Sequence, residues 1–324
     1  MKIGIVGTGA MGAVYAAMLA KSGHEVWAID RWQAHLDAIA SDGLSVSGAS
    51  GEYVVDGIRV GRRPSDAGPC DLWIIATKAA DVEVALADLA PLVRDGDVVM
   101  PFQNGLGAGE RVAAFVDPRH VVIGIAEGFG SSIPAPGSVH HNGMRMIRIG
   151  EMSGGLTDRV LGIERAWADA GFHVTAFADL EQMTWEKFIC NVALSAPTAA
   201  FDVTIGELHA DERLWDVAVG CMLEAHGIGV ARGVTFSFPD PVAYVGEFAS
   251  TIPHASPSMR LDHLARRRSE VDVINGKVVE LGREMGRPTP YNESLCAVLY
   301  ARESRFPDSP NGDGPVNGGS AGFL

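Results

Sequence analysis

Lys2 to Val6 has the character of a short buried strand and runs straight into Gly7-Thr8-Gly9-Ala10-Met11-Gly12, then into a helix-forming segment. No other stretch limits the fold as strongly. A Gly-x-Gly-x-x-Gly turn between strand and helix marks a dinucleotide-binding βαβ unit, and each glycine has its own task. Gly7 permits the tight turn, Gly9 admits a pyrophosphate close to the backbone, and Gly12 lets the helix lie against the sheet. The helix N-terminus then presents unpaired N–H groups and a positive dipole end to the phosphates. Glycine is abundant, 39 of 324 residues, so the motif alone would carry little. Its context carries more: the helix ends at Gly23, and His24 to Ile29 forms a second strand that closes on Asp30.

Strand signals recur at Leu72 to Thr77, Val98 to Phe102, Val121 to Ala126, Met144 to Gly150 and His173 to Phe177, with helical stretches between the early ones. The Pro- and Gly-punctuated segment from Ser131 to Gly150 reads as antiparallel strands added late. From Asp179 the strand signals stop, and long amphipathic stretches follow at Leu180 to Ala193, Asp211 to Arg232, Pro241 to Ser250, Leu261 to Gly286 and Glu293 to Ser304. The expected architecture is α/β: a Rossmann-type doubly wound dinucleotide-binding domain at 1–178, an all-helical substrate and catalytic domain at 179–306, and a disordered tail at 307–324.

At 324 residues the chain exceeds what one core usually organises, in keeping with two domains. A formal charge of −14 argues against a nucleic-acid partner. No apolar run of spanning length and no basic-then-apolar leader stand out, which points away from the membrane and to the cytoplasm. Cys70, Cys190, Cys221 and Cys296 lack any CxxC spacing and read as buried free thiols, and the ten histidines form no ligand cluster, so no metal is expected. His140-His141 reads as a loop pair, and Arg266-Arg267-Arg268 as a solvated helix face. Exposed helical faces permit a homodimer.

Ligands of open α/β sheets bind outside the carboxyl ends of the strands, and a second domain commonly completes the cleft. Thr77-Lys78 and Gln103-Asn104-Gly105 close two strands at that edge. In the helical part, Lys187, Asn191 and Ser195 are spaced by four and share one face amid apolar neighbours. Burial there lowers an ammonium pKa and makes such a lysine a competent proton donor near neutral pH.

GTGAMG, TK, QNG, WEKFICNVALSAPTA and SMRLDHLARRRSEVDVING, in this order, resemble the ketopantoate reductase family, whose members reduce 2-dehydropantoate to pantoate. The resemblance runs from Met1 to about Phe306. It implies that Lys187 is the general acid, that Asn104 supports it at the cofactor, and that Asn191 binds substrate. It also implies that Ser258 hydrogen-bonds the substrate carboxylate and that Glu270, twelve residues on, contacts its hydroxyl. Lys78 matches a position beside the cofactor. Many members carry asparagine where this chain has Ser195.

Reduction of a 2-oxo acid needs a hydride at C2 and a proton at the developing alkoxide, so one positioned cation both stabilises charge and delivers the proton. The substrate carboxylate needs N–H or O–H donors, which Asn191, Ser195 and Ser258 offer. The family norm of NADPH accords with Arg31, whereas Asp30 suits the ribose hydroxyls of NADH and repels a 2′-phosphate. The cofactor is therefore NADH or NADPH, with Asp30 favouring NADH. Two rivals to a 2-dehydropantoate reductase stay open: a relative acting on another oxo or hydroxy substrate, and a dinucleotide-binding sensor without turnover.

Overall fold

The computed structural model describes residues 1–307, and the expected tail, apart from Pro307, lies outside them. Contacts divide the described residues into two units, Met1–Gln103 with Gly107–Leu180, and Asn104–Leu106 with 181–307.

The first unit begins β1 (Lys2–Val6), α1 (Ala10–Lys21), β2 (Glu25–Ile29), α2 (Gln33–Asp42), β3 (Leu44–Gly48), β4 (Tyr53–Val55) and β5 (Arg59–Gly61). It continues through α3 (Pro64–Ala67), β6 (Leu72–Ile75), α4 (Val82–Leu89), β7 (Val98–Pro101) and α5 (Ala108–Ala113). It closes with β8 (Val122–Glu127), β9 (Gly130–Ala135), β10 (Ser138–Gly143), β11 (Met146–Glu151), α6 (Asp158–Asp169) and β12 (Val174–Ala176). Five parallel strands take the order β5-β2-β1-β6-β7, so the winding direction reverses at β1, where such sheets bind their ligands. β1, β6 and β7 are almost wholly apolar and buried, as strands covered on both faces must be. Gly4 of β1 lies in register with Trp73 of β6, whose buried indole occupies the space a Cβ on Gly4 would take. A single parallel bridge, Val99 to Val121, leads from this sheet towards β8, β11 and β12, which form a three-stranded sheet. Tyr15, Phe102, Trp167 and Phe172 close the core beneath, with Trp167 centroids 5.2 Å from Tyr15 and 4.7 Å from Phe172.

A further four-stranded sheet, β4-β3-β10-β9, departs from expectation. β3, β4 and β5 leave weak signals because they are only three to five residues long, and Ser and Gly interrupt β3. His140 and His141, expected in a loop, lie within β10: His140 Nδ1 is 2.9 Å from the Ser47 hydroxyl, and His141 stacks on Phe129 at 4.9 Å. Tertiary pairing overrides their local preference.

The second unit is helical: α7 (Leu180–Phe201), α8 (Ile205–Ala210), α9 (Glu212–Ala231), α10 (Pro241–Thr251), α11 (Ser258–Leu264), α12 (Asn275–Glu284) and α13 (Pro290–Glu303). The helix expected over Leu261 to Gly286 is broken. α11 stops at Leu264, Arg266 takes a left-handed φ of 54°, and only a 3-10 turn, Val271–Val273, precedes α12. The arginine run is accordingly no helix face: Arg267 pairs with the buried Asp262 at 3.0 Å, and Arg266 donates to the Arg305 carbonyl at 2.9 Å. α9 qualifies another expectation, being long and apolar enough to span a membrane by length and composition. It still buries Ala218, Cys221, Met222, Ala225 and Ile228 in the core of this unit, which a soluble core helix also does.

All four cysteines are buried, and among the described residues none forms a disulfide. Burial raises the Cys70 thiol to about 11 and the Cys296 thiol to about 12, so neither forms a thiolate at neutral pH. Among the described residues no His, Cys, Asp or Glu cluster suits a metal.

Candidate functional site

The glycine loop has the geometry its sequence requires. Gly7 has φ +90° and donates to the Ile29 carbonyl at 2.8 Å, and a Cβ on it would press into the Ala76–Thr77 backbone. A Cβ on Gly12 would overlap the Gly7 carbonyl oxygen. Gly9 differs: its backbone is ordinary, with φ −73°, and a Cβ there would meet nothing within 4 Å. No protein atom demands glycine at Gly9. A ligand lying on the loop would, which is the requirement of a dinucleotide pyrophosphate. Gly9 caps α1, and the N–H groups of Ala10, Met11 and Gly12 are those a helix leaves unused in its first turn. Thr8 turns its hydroxyl inward to the Ile5 and Ile29 carbonyls at 3.3 and 3.4 Å, so it shapes the loop and leaves phosphate contact to backbone. Beside Gly7, the Thr77 hydroxyl is buried without a hydrogen-bond partner among the described residues, a second sign that this edge suits a polar ligand. These residues fit a dinucleotide.

At the end of β2, Asp30 accepts the Trp32 N–H through Oδ1 at 3.0 Å, so one carboxylate oxygen caps the loop. Arg31 extends to Asp81, Nη2 to Oδ1 at 3.1 Å, with both side chains about half exposed. Lys78 is exposed and begins the 3-10 turn Ala79–Asp81. Gln103 ties its amide to the Ile75 and Thr77 carbonyls, 2.9 and 2.8 Å away, and the chain then passes from the first unit to the second at Asn104.

In the second unit α7 is buried along nearly its whole length, yet Lys187, Asn191 and Ser195 line one face of it at 4, 4 and 3 % exposure. The Lys187 ammonium lies 5.5 Å from the centroid of Phe248 on α10, a cation against a ring face in a nearly dry setting. Neither Asn191 nor Ser195 hydrogen-bonds its side chain to protein among the described residues. Asn104 donates from Nδ2 to Glu270 Oε2 at 3.3 Å, joining residues 166 positions apart. The contact follows from Gly105, which has φ +83° and sits so close to the 3-10 turn that Leu106 donates to the Val273 carbonyl at 3.1 Å. Glu303 fixes the approach to Glu270: it accepts the Ser269 N–H and hydroxyl at 2.9 and 2.6 Å and lies 3.0 Å from His263 Nε2. Burial alone would raise the Glu303 carboxyl; hydrogen bonds from His263 and Ser269 outweigh it and hold the group below the usual range. Ser258 opens α11 and is exposed.

Asn275 and Arg302, which sequence reasoning passed over, support α7 around its internal proline. Pro197, inside the helix, removes the N–H that would bond the Ala193 carbonyl. Nearby, the fully buried Asn275 amide donates to the Val192 carbonyl at 3.0 Å and to Asn292 Oδ1 at 2.8 Å, and Arg302 donates to the Ala199 and Ala200 carbonyls at 2.7 and 2.8 Å. The Asn275-Gly276 pair near the end of a quoted motif was the only signal.

A dinucleotide loop at the switch point of a parallel sheet, followed by a helical unit with a buried polar row headed by one lysine, defines a nicotinamide-dependent oxidoreductase acting on a C=O/CH–OH group. Comparison with known proteins agrees. Residues 3–154 match the family described as ketopantoate reductase PanE/ApbA, and 179–303 match its C-terminal part. A 2-dehydropantoate 2-reductase of Mesorhizobium japonicum is 31 % identical, covering 92 % of this chain and 97 % of its own. A solved ketopantoate reductase of Ralstonia eutropha superposes with a TM-score of 0.85 at 29 % identity, covering 94 % of this chain and 99 % of that one. A D-mandelate dehydrogenase solved with NADH and anilino(oxo)acetate reaches the same TM-score at 25 % identity, over 94 and 99 % of the two chains. The chain belongs to the ketopantoate reductase family.

Proposed function

We propose that this chain reduces the C2 carbonyl of a 2-oxo acid in the cytoplasm, with 2-dehydropantoate as substrate and pantoate as product. The observation that carries the reading is the polar row on α7: one ammonium and two unclaimed hydrogen-bonding side chains, all buried, on a helix otherwise committed to the core. A bound nicotinamide supplies the hydride. Lys187 holds a proton where the alkoxide forms, and its low exposure strengthens its attraction for that charge. Asn191 and Ser195 donate to the substrate's oxygens, joined by Ser258 at the carboxylate. The Asn104 amide, fixed by Glu270, orients the reacting groups, and Glu270 accepts from a substrate hydroxyl.

NADH is the favoured cofactor. Arg31 is already paired with Asp81, and the free oxygen of Asp30 suits ribose hydroxyls while repelling a 2′-phosphate. The cap on Trp32 draws part of that carboxylate into the loop, so the repulsion is partial. A second reading, in which the substrate is another 2-oxo acid, is favoured by Ser195 in place of asparagine and by the oxoacetate-bound neighbour. The purified protein is expected to oxidise NADH faster than NADPH in the presence of 2-dehydropantoate, followed by nicotinamide absorbance. Turnover of phenylglyoxylate but not of 2-dehydropantoate would move the chain to the second reading. Asp30→Ala is expected to improve relative kcat/KM for NADPH by roughly tenfold, the worth of one like charge near a phosphate in a mostly aqueous setting. An unchanged ratio would remove Asp30 from the argument.

A further inference from the structure

The far end of α1 from its glycine loop borders a cavity of about 490 Å³ within the first unit. Lys21 lies eleven residues beyond Ala10, about 16 Å along the helix axis, so this cavity is separate from the phosphate loop. Met18, Tyr53 and Met144 give it apolar walls, and Lys21 and Asp169 stand exposed beside it with opposite charges. The Lys21 ammonium rests on the face of Tyr53, 3.7 Å from the ring centroid, which holds the charge at the wall. The most telling residue is His141. It is 2 % exposed and lines the cavity, and among the described residues neither ring nitrogen has a well-formed hydrogen bond, the Gly143 backbone being the one backbone group that acts on its charge. Burial lowers its pKa, so at neutral pH the ring carries one N–H donor and one bare nitrogen acceptor. Buried polar groups are as a rule hydrogen-bonded, so an unmet ring nitrogen that also lines a cavity is a place where a polar ligand atom gains a partner.

We propose that this cavity binds a small zwitterion with an apolar body, a free α-amino acid with a large apolar side chain. Its carboxylate pairs with Lys21, its ammonium meets Asp169 and the bare nitrogen of His141, and its side chain covers Tyr53 and the two methionines. None of these residues belongs to the oxidoreductase machinery, so the inference does not depend on which substrate is reduced.

L-Phenylalanine is the probe, titrated into the full chain while the histidine Cε1–H signals are followed by NMR, with the His141 signal assigned by its loss in His141→Gln. A saturable shift of that signal is expected. Lys21→Ala and Asp169→Asn should each weaken binding by roughly two- to fivefold, the worth of one solvent-exposed ion pair. Phenylacetate and phenethylamine, each lacking one charge, should bind correspondingly less tightly. Unchanged nicotinamide turnover in both charge variants would show them folded. No saturable shift, or binding indifferent to both substitutions, would overturn the site; phenylacetate binding as tightly as phenylalanine would overturn the zwitterion.

Discussion

Lys187→Ala is expected to lower kcat by about 10²- to 10⁴-fold, the usual contribution of a positioned general acid, with little change in the affinity for nicotinamide cofactor. That range corresponds to about 3–5.5 kcal/mol of lost transition-state stabilisation. The magnitude follows from where the ammonium sits. At 4 % exposure, with Phe248 against it, little water is available to take over the proton transfer or to solvate the alkoxide once the side chain is cut back. Lys187→Arg separates the two roles. A guanidinium keeps the positive charge but does not release its proton at working pH, so it is expected to restore substrate binding more than turnover. Single-turnover absorbance measurements with saturating cofactor, on whichever 2-oxo acid the wild type reduces, give both quantities. A kcat within tenfold of wild type in Lys187→Ala would remove this residue from the acid role and leave the family's chemistry to another group.

What could be read in advance divides along the range of the interactions. The glycine loop and the α7 row are local patterns: three glycines within six residues, and three polar side chains at a spacing of four, both fixed by backbone periodicity before any tertiary contact forms. The pairing of Asn104 with Glu270 spans 166 positions, and nothing in composition or period announces it; only resemblance placed the two residues in one site. The long helix expected over Leu261 to Gly286 fails for a related reason. Its apolar spacing is good enough, but the left-handed Arg266, the Asp262–Arg267 pair and the hold of Glu303 on Ser269 interrupt it just before Glu270. Local propensity loses here to the tertiary contacts that fix the chain just before Glu270. α7 errs in the opposite direction. Pro197 argues for an early stop, yet the helix runs to Phe201, with Asn275, Arg302 and the Thr198 hydroxyl hydrogen-bonded to carbonyls around it. Those partners come from other helices or from a side chain's choice of rotamer, which the primary pattern does not encode. His140 and His141 teach the same lesson in a sheet: two polar residues in a Gly-rich stretch become strand because β3 and β9 flank them.

Gly105→Ala should damage the site from a distance, through backbone alone. Two costs coincide at this residue. Its φ of +83° lies in the left-handed region, which costs an alanine about 1–2 kcal/mol, and an added Cβ would overlap the Val273 carbonyl oxygen that accepts the Leu106 N–H. Backbone cannot yield as the end of a flexible side chain can, so Asn104–Leu106 and the 3-10 turn after Glu270 must separate. The Asn104–Glu270 hydrogen bond, already 3.3 Å long, is the first casualty. A displacement of about 1 Å in such a pair can lower turnover by about 10²-fold, and that is the expected fall in kcat. Cofactor affinity, read by quenching of intrinsic fluorescence, should stay near wild type because the glycine loop belongs to the other unit. Gly105→Asn discriminates between the two costs. Asparagine tolerates positive φ better than most residues but still carries a Cβ, so if overlap dominates it fails like alanine. Recovery of wild-type kcat in Gly105→Asn would assign the effect to backbone strain alone. Full activity in Gly105→Ala would mean that the close approach of this loop to Val273 has no part in arranging the reacting groups.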